Sequence, residues 1–159
     1  MGARAKGAAT VTSPDEHPQF PPVSELVPHA APMILVDRLV AWSAERAHVQ
    51  ALVRAGGPFV VEGRVPGTIL LEYMAQAIAV ANGWRQRIHH LAPGAGLLLG
   101  TRELELAVDD VGVGDHLDIH IEREFDDGKL ARYACRVEAG GHRIAEATIN
   151  VIATTPEET

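Results

Sequence analysis

One stretch restricts the fold more than any other. Over 68–88 the chain has no proline and a single glycine, and Leu70, Tyr73, Ala77, Val80 and Trp84 recur at helical spacing. Ile69, Met74, Ala75, Ile78 and Ala79 occupy the remaining faces, so the predicted helix is apolar almost all round. Such a helix belongs inside a protein. With 159 residues the chain has the length of one domain, and the rest of it must supply the cover.

That cover reads as strands. Residues 33–42 alternate or run apolar, and 46–54 read as their partner. Gly56-Gly57-Pro58 breaks the pattern, and an irregular loop is expected through Gly63 and Pro66-Gly67. Beyond Pro93-Gly94 the period changes to two, giving four strand-like runs over 96–108, 116–125, 130–138 and 143–153. Asp127-Gly128 and Gly140-Gly141 suit tight hairpins, so the last three runs should form an antiparallel meander. Two strands, one buried helix and four more strands describe an α+β hotdog fold, a curved antiparallel sheet of about five or six strands wrapped around one long central helix. Edge strands of such a sheet invite pairing across a dimer interface. Residues 1–22, with four prolines and no periodicity, are expected to be a flexible leader, 23–153 the domain, and 154–159 a disordered tail. Ser24 is expected to cap a short helical turn that Pro28 limits.

Composition narrows the function. A formal charge of -7 argues against a nucleic-acid partner, which would need a concentrated basic face. Arg85 and Arg87 fall in the last turns of the helix, where cations favour its dipole; a small basic landing site for an acidic partner is the other reading. Cys135 is the single cysteine, so neither an intrachain disulfide nor a thiolate metal site is available, and a reducing, cytoplasmic setting fits. No run is long enough for a membrane span. His116 and His120 share a strand face with Asp118 and Glu122, which reads as a solvated polar face rather than a metal site. His48, His89, His90 and His142 are expected at exposed or turn positions.

The residue that asks for an explanation is Glu72, in the first turns of a helix otherwise fit for a core. Burying a carboxylate is costly unless it is paired or hydrogen-bonded. Desolvation and the positive helix end act on it in opposite directions, the tension by which active-site carboxyls are tuned; a Glu capping N–H groups or facing a solvated loop is the plainer reading. Gln76, one turn later on the same face, could orient the carboxyl. Gly67, just before the helix, could let a ligand approach backbone N–H groups able to polarise a thioester carbonyl.

The string Leu26-Val27-Pro28-His29-Ala30-Ala31-Pro32-Met33-Ile34-Leu35-Val36-Asp37-Arg38 resembles the opening of 3-hydroxyacyl-ACP dehydratases. The string Pro66-Gly67-Thr68-Ile69-Leu70-Leu71-Glu72-Tyr73-Met74-Ala75-Gln76-Ala77 resembles their helix, and its Glu-Tyr-Met-Ala-Gln version is most similar to dehydratase-like proteins of aryl polyene gene clusters. The resemblance covers residues 24–153. It implies a hotdog dimer, a homodimer in the first instance, that removes water, in syn fashion and without a cofactor, from a 3-hydroxyacyl chain on the phosphopantetheine arm of acyl carrier protein, leaving a trans-2-enoyl thioester. In the best-known members a His in a Gly-His-Phe-Pro-Gly loop is the base and a helix carboxylate assists the hydroxyl, a role Glu72 matches. Here the loop reads Glu62-Gly63-Arg64-Val65-Pro66-Gly67, and Arg64 stands in place of that His. An arginine cannot serve as base. His29 is the leading substitute, although it could equally do no more than fix the turn before the first strand. Arg64, Gly67, Tyr73 and Gln76 are the expected substrate-binding residues, and Ile69, Tyr73, Leu98 and Leu99 would set tunnel depth. Two other readings stay open on the same scaffold: an acyl thioesterase in which Glu72 activates water, and, given the absent loop His, a degenerate subunit that supports a catalytic homologue in a heterodimer.

Overall fold

A computed structural model describes residues 20–91 and 95–154, with the backbone alone for 95–99 and 153–154. The expected leader and tail lie almost entirely outside the described residues, as do the side chains of Leu98 and Leu99. After a 3-10 turn at Val23–Glu25 come β1 (Arg38–Trp42), β2 (Arg46–Leu52), β3 (Arg64–Pro66), a 3-10 turn at Gly67–Ile69 and α1 (Leu70–Ile88). There follow β4 (Ala95–Leu106), β5 (Asp110–Gly112), β6 (His116–Asp126), β7 (Leu130–Ala139) and β8 (His142–Thr154). Six strands form one antiparallel sheet in the order β1-β2-β6-β7-β8-β4, and β3 pairs with β5 in a separate ribbon.

The meander follows from its turns. Gly128, Gly140 and Gly141 adopt positive φ, which side-chain-bearing residues rarely do, and Asp127 Oδ1 accepts from the N–H groups of Lys129 and Leu130 to close the first hairpin. One face of the sheet carries Val49, Ala51, Leu117, Ile119, Val137 and Ile149, all 3% exposed or less, and packs on α1. The helix answers with Leu70, Met74, Ala77 and Val80, each fully buried. Each large aliphatic side chain so covered contributes on the order of 1.5–3 kcal/mol, the main force holding sheet to helix.

Three local expectations are corrected. The first strand begins at Arg38 rather than at residue 33, because the backbone of Met33 and Leu35 bonds to a side chain of α1 instead of a neighbouring strand. Pairing starts only at Asp37, whose N–H donates to the Gln50 carbonyl while its carboxylate accepts from the Leu52 N–H at 2.6 Å and pairs with Arg54. The stretch before the helix is not wholly irregular, since β3 lies in it; three residues are too few to show a period. The turn at Val23 follows Pro22 and has no side-chain cap, so Ser24 does not play that part.

Candidate active site

Two segments distant in sequence meet at the start of α1. Glu72 lies in its first turn, and His29 comes from the segment that precedes β1. Nε2 of His29 stands 3.7 Å from Oε1 of Glu72, too long for a hydrogen bond but within ion-pair reach. The two side chains are 30% and 34% exposed, so the pair sits at a wet margin of the core. The His29 ring nitrogen Nδ1 is sealed from solvent with no partner, leaving Nε2 as the nitrogen able to meet a reactant.

Gln76 ties the site together. It is 0% exposed, the single buried polar side chain among the described residues. Its Nε2 donates to the Met33 carbonyl at 2.7 Å and to Glu72 Oε1 at 2.9 Å, while its Oε1 accepts from the Leu35 N–H at 2.8 Å. One amide thus holds the carboxyl that His29 faces and also the backbone that leads away from His29. The sequence marked Glu72 as the carboxylate forced into a core; the structure puts Gln76 there and leaves Glu72 half-exposed. A neutral amide satisfies three groups at that depth at far lower desolvation cost than a carboxylate.

The other expected residues are placed differently. Tyr73 is 4% exposed and joins the core, and burial, reinforced by nearby Asp37, raises its hydroxyl above the ordinary tyrosine value. Gly67 does make a close approach, but with the chain itself. Its N–H donates to the Asp109 carbonyl at 2.8 Å, and a Cβ there would lie 2.9 Å from the Val108 carbonyl oxygen. That N–H is therefore not free to polarise a thioester. Arg64 forms an ion pair with Asp110 on the outside of the β3–β5 ribbon, its guanidinium lying across Gly112. The hydrogen bond from Arg64 to Asp110 raises the guanidinium further above its already high value, so Arg64 is no base.

The outer sheet face holds an arrangement that spacing along one strand could not disclose. His48 on β2 stacks on His120 with ring centroids 4.3 Å apart and bonds Asp118 Oδ1 at 2.7 Å, so it is not the plain exposed residue expected. A cavity of about 540 Å³ lies over this face, lined in part by His48, His120, Cys135 and Arg136, away from Glu72. Neither His29 nor Glu72 lines that cavity; the two meet at the start of α1 instead. Among the described residues, no three His, Cys, Asp or Glu side chains gather as a metal centre requires.

Residues 21–159 match the family described as ApeP-like, ApeP dehydratase. The chain belongs to the ApeP-like dehydratases. A chain of the dehydratase heterocomplex ApeI:P from Xenorhabdus doucetiae superposes on this ApeP-like chain with a TM-score of 0.83 at 30% identity, covering 87% of this chain and 95% of that one. The 3-hydroxyacyl-[acyl-carrier-protein] dehydratase FabZ of Deinococcus radiodurans is 32% identical over 136 residues, 80% of this chain and 88% of that protein. The TT0310 protein of Thermus thermophilus, at 21% identity and a TM-score of 0.55, shares the hotdog fold over 72% of this chain and 89% of its own. No described helix is long and apolar enough to cross a membrane.

Proposed function

We propose that this ApeP-like chain dehydrates 3-hydroxyacyl thioesters carried on acyl carrier protein in the cytoplasm, with His29 and Glu72 as the catalytic pair. One observation carries the reading: His29 Nε2 and Glu72 Oε1 stand 3.7 Å apart at the start of the central helix. Nε2 takes the proton from carbon 2, and the electrons of that C–H bond form the new C2=C3 double bond. The C3–O bond breaks, and the hydroxyl leaves as water with the carboxyl proton of Glu72. His29 is then protonated and Glu72 is a carboxylate; return of the proton between them resets the pair without a cofactor. Gln76 keeps Glu72 aimed during the cycle. The relatives' own substrate, an acyl group on the carrier protein, supports the substrate class.

The test is product identity. The purified chain, given a 3-hydroxyacyl carrier thioester, should release a species lighter by the mass of one water with the thioester intact. A free acid would instead mark the thioesterase reading.

A second reading concerns assembly. Arg64 is committed to Asp110, and the ribbon that carries it ends in Val61 and Val113, 67% and 40% exposed. An apolar ribbon end of this kind suits cover by a second hotdog chain, in line with the ApeI:P heterocomplex. Activity that emerges only after a second hotdog chain is added would assign this chain a supporting role.

A further inference from the structure

Glu72, Gln76, Gly83 and Arg87 fall within about 60° of one another around α1 at roughly 100° per residue, so they form one stripe along the helix. The chain from residue 20 to residue 35 is laid along that stripe. Glu25 accepts from Arg87 at 3.2 Å, and Phe20 meets Trp84 edge-on with centroids 5.2 Å apart. The backbone of Leu26 crosses directly over Gly83: a Cβ there would lie 1.9 Å from the Leu26 carbonyl oxygen and 2.8 Å from its carbon. Further on, Met33 and Leu35 are clamped by Gln76. His29 therefore hangs between two anchors on the same helix.

His29 lies only three residues beyond the Leu26 crossing. Gly83 and Glu72 are eleven residues apart, about 16 Å along the axis at ~1.5 Å per residue. The three steps from Leu26 to His29 span at most about 11 Å. The imidazole and the carboxylate side chain must bridge what is left.

We propose that Gly83 is a positioning residue: the close crossing it permits sets where His29 Nε2 stands relative to Glu72. This rests on the catalytic pair proposed above. Glycine inside a helix costs about 1 kcal/mol relative to alanine, so the crossing offsets a real local penalty. A methyl group at position 83 would drive the Leu26 carbonyl back from 1.9 Å to the 3.4 Å of ordinary contact, a retreat of about 1.5 Å. Displacement of a catalytic group by ~1 Å is enough to slow a reaction about 100-fold.

The experiment uses the full chain carrying Gly83→Ala, with two readouts. Carbethoxylation of His29 by diethyl pyrocarbonate, followed by peptide mass spectrometry, should run several-fold faster than in the parent protein. Water loss from a 3-hydroxyacyl carrier thioester should fall on the order of 100-fold in kcat with KM changed by less than about threefold. In a His29→Ala background the same substitution should slow kcat by less than about threefold, which general destabilisation would not produce. Should Gly83→Ala fail to fold, Phe20→Ala with Glu25→Ala loosens the strap from its far end and should accelerate labelling in the same direction. Unchanged His29 labelling overturns the strap, and faster labelling with unchanged kcat overturns its positioning role. Full activity of His29→Ala alone would instead remove the catalytic reading, and the labelling result would still report on the strap.

Discussion

Replacing Gln76 by leucine keeps nearly the same volume at a site that is 0% exposed, so no cavity opens and the loss is almost purely polar. Three partners are stranded. Glu72 is 34% exposed in its side chain and Met33 is 39% exposed, so both can turn to water. The Leu35 N–H, half-buried behind the segment, loses its acceptor, at about 1–3 kcal/mol. Adding about 0.5–1.5 kcal/mol for the other bonds, the substitution should remove roughly 2–4 kcal/mol from a total of about 5–15. For a domain of this size each kcal/mol lowers Tm by about 2–4 °C, so a drop of roughly 5–15 °C is expected. Urea unfolding followed by circular dichroism should show a lower midpoint with an unchanged slope, and kcat should fall as Glu72 loses its aim. A Gln76→Leu protein melting within about 1 °C of the parent would show that the amide does not clamp residues 33–35, and the site as described would be wrong.

Other outcomes follow from the same structure. Burial pushes the Cys135 thiol up to about 12, so iodoacetamide at pH 8 should leave the native thiol unlabelled and modify it only after urea unfolding; fast native labelling would contradict its burial. Burial, then the facing His48 and Arg136, hold His120 below the ordinary histidine value against the opposing pull of Glu138 and Asp118. Its folded value is thus below its unfolded one of about 6.5, so its contribution to stability is present above that pH and lost as pH falls through the folded value. The urea midpoint should decline below about pH 6.5, and His120→Gln should flatten that decline; an identical slope would dismiss the assignment. Gly67→Ala should destabilise the protein by about 1–3 kcal/mol in urea, because the neighbours of its Cβ are backbone carbonyls; a neutral result would mean that the crossing at Val108 relaxes freely.

The architecture was legible because its signals are long. The apolar helix, the change of period after Pro93-Gly94 and the two glycine-bearing turns each span enough residues to outweigh local noise, and they specify a meander over a central helix. The ribbon of β3 and β5 was not legible, since three residues show no period and their pairing is set by the return of the chain at Asp109. Within the site, Glu72 and His29 could be named from their motifs, but their approach depends on tertiary contact. Gln76 could be placed on the face of Glu72, yet its burial and its bonds to Met33 and Leu35 arise from a segment 41 to 43 residues away. The signal overlooked was Gly83, a helix-interior glycine whose local cost asks for a close neighbour. The stacking of His48 on His120 escaped for a different reason: the two lie on different strands, and only the register of β2 on β6, which sets them opposite each other, brings the rings together.

Single-turnover water loss by the isolated chain, followed by mass spectrometry of the carrier-bound acyl group, bears most directly on the pairing of His29 with Glu72. The parent protein and Arg64→Ala should both give the enoyl thioester, whereas His29→Ala and Glu72→Gln should each slow its formation by about 100-fold or more. Enoyl product formed at the parental rate by either of the last two proteins would show that the chemistry does not run through these side chains.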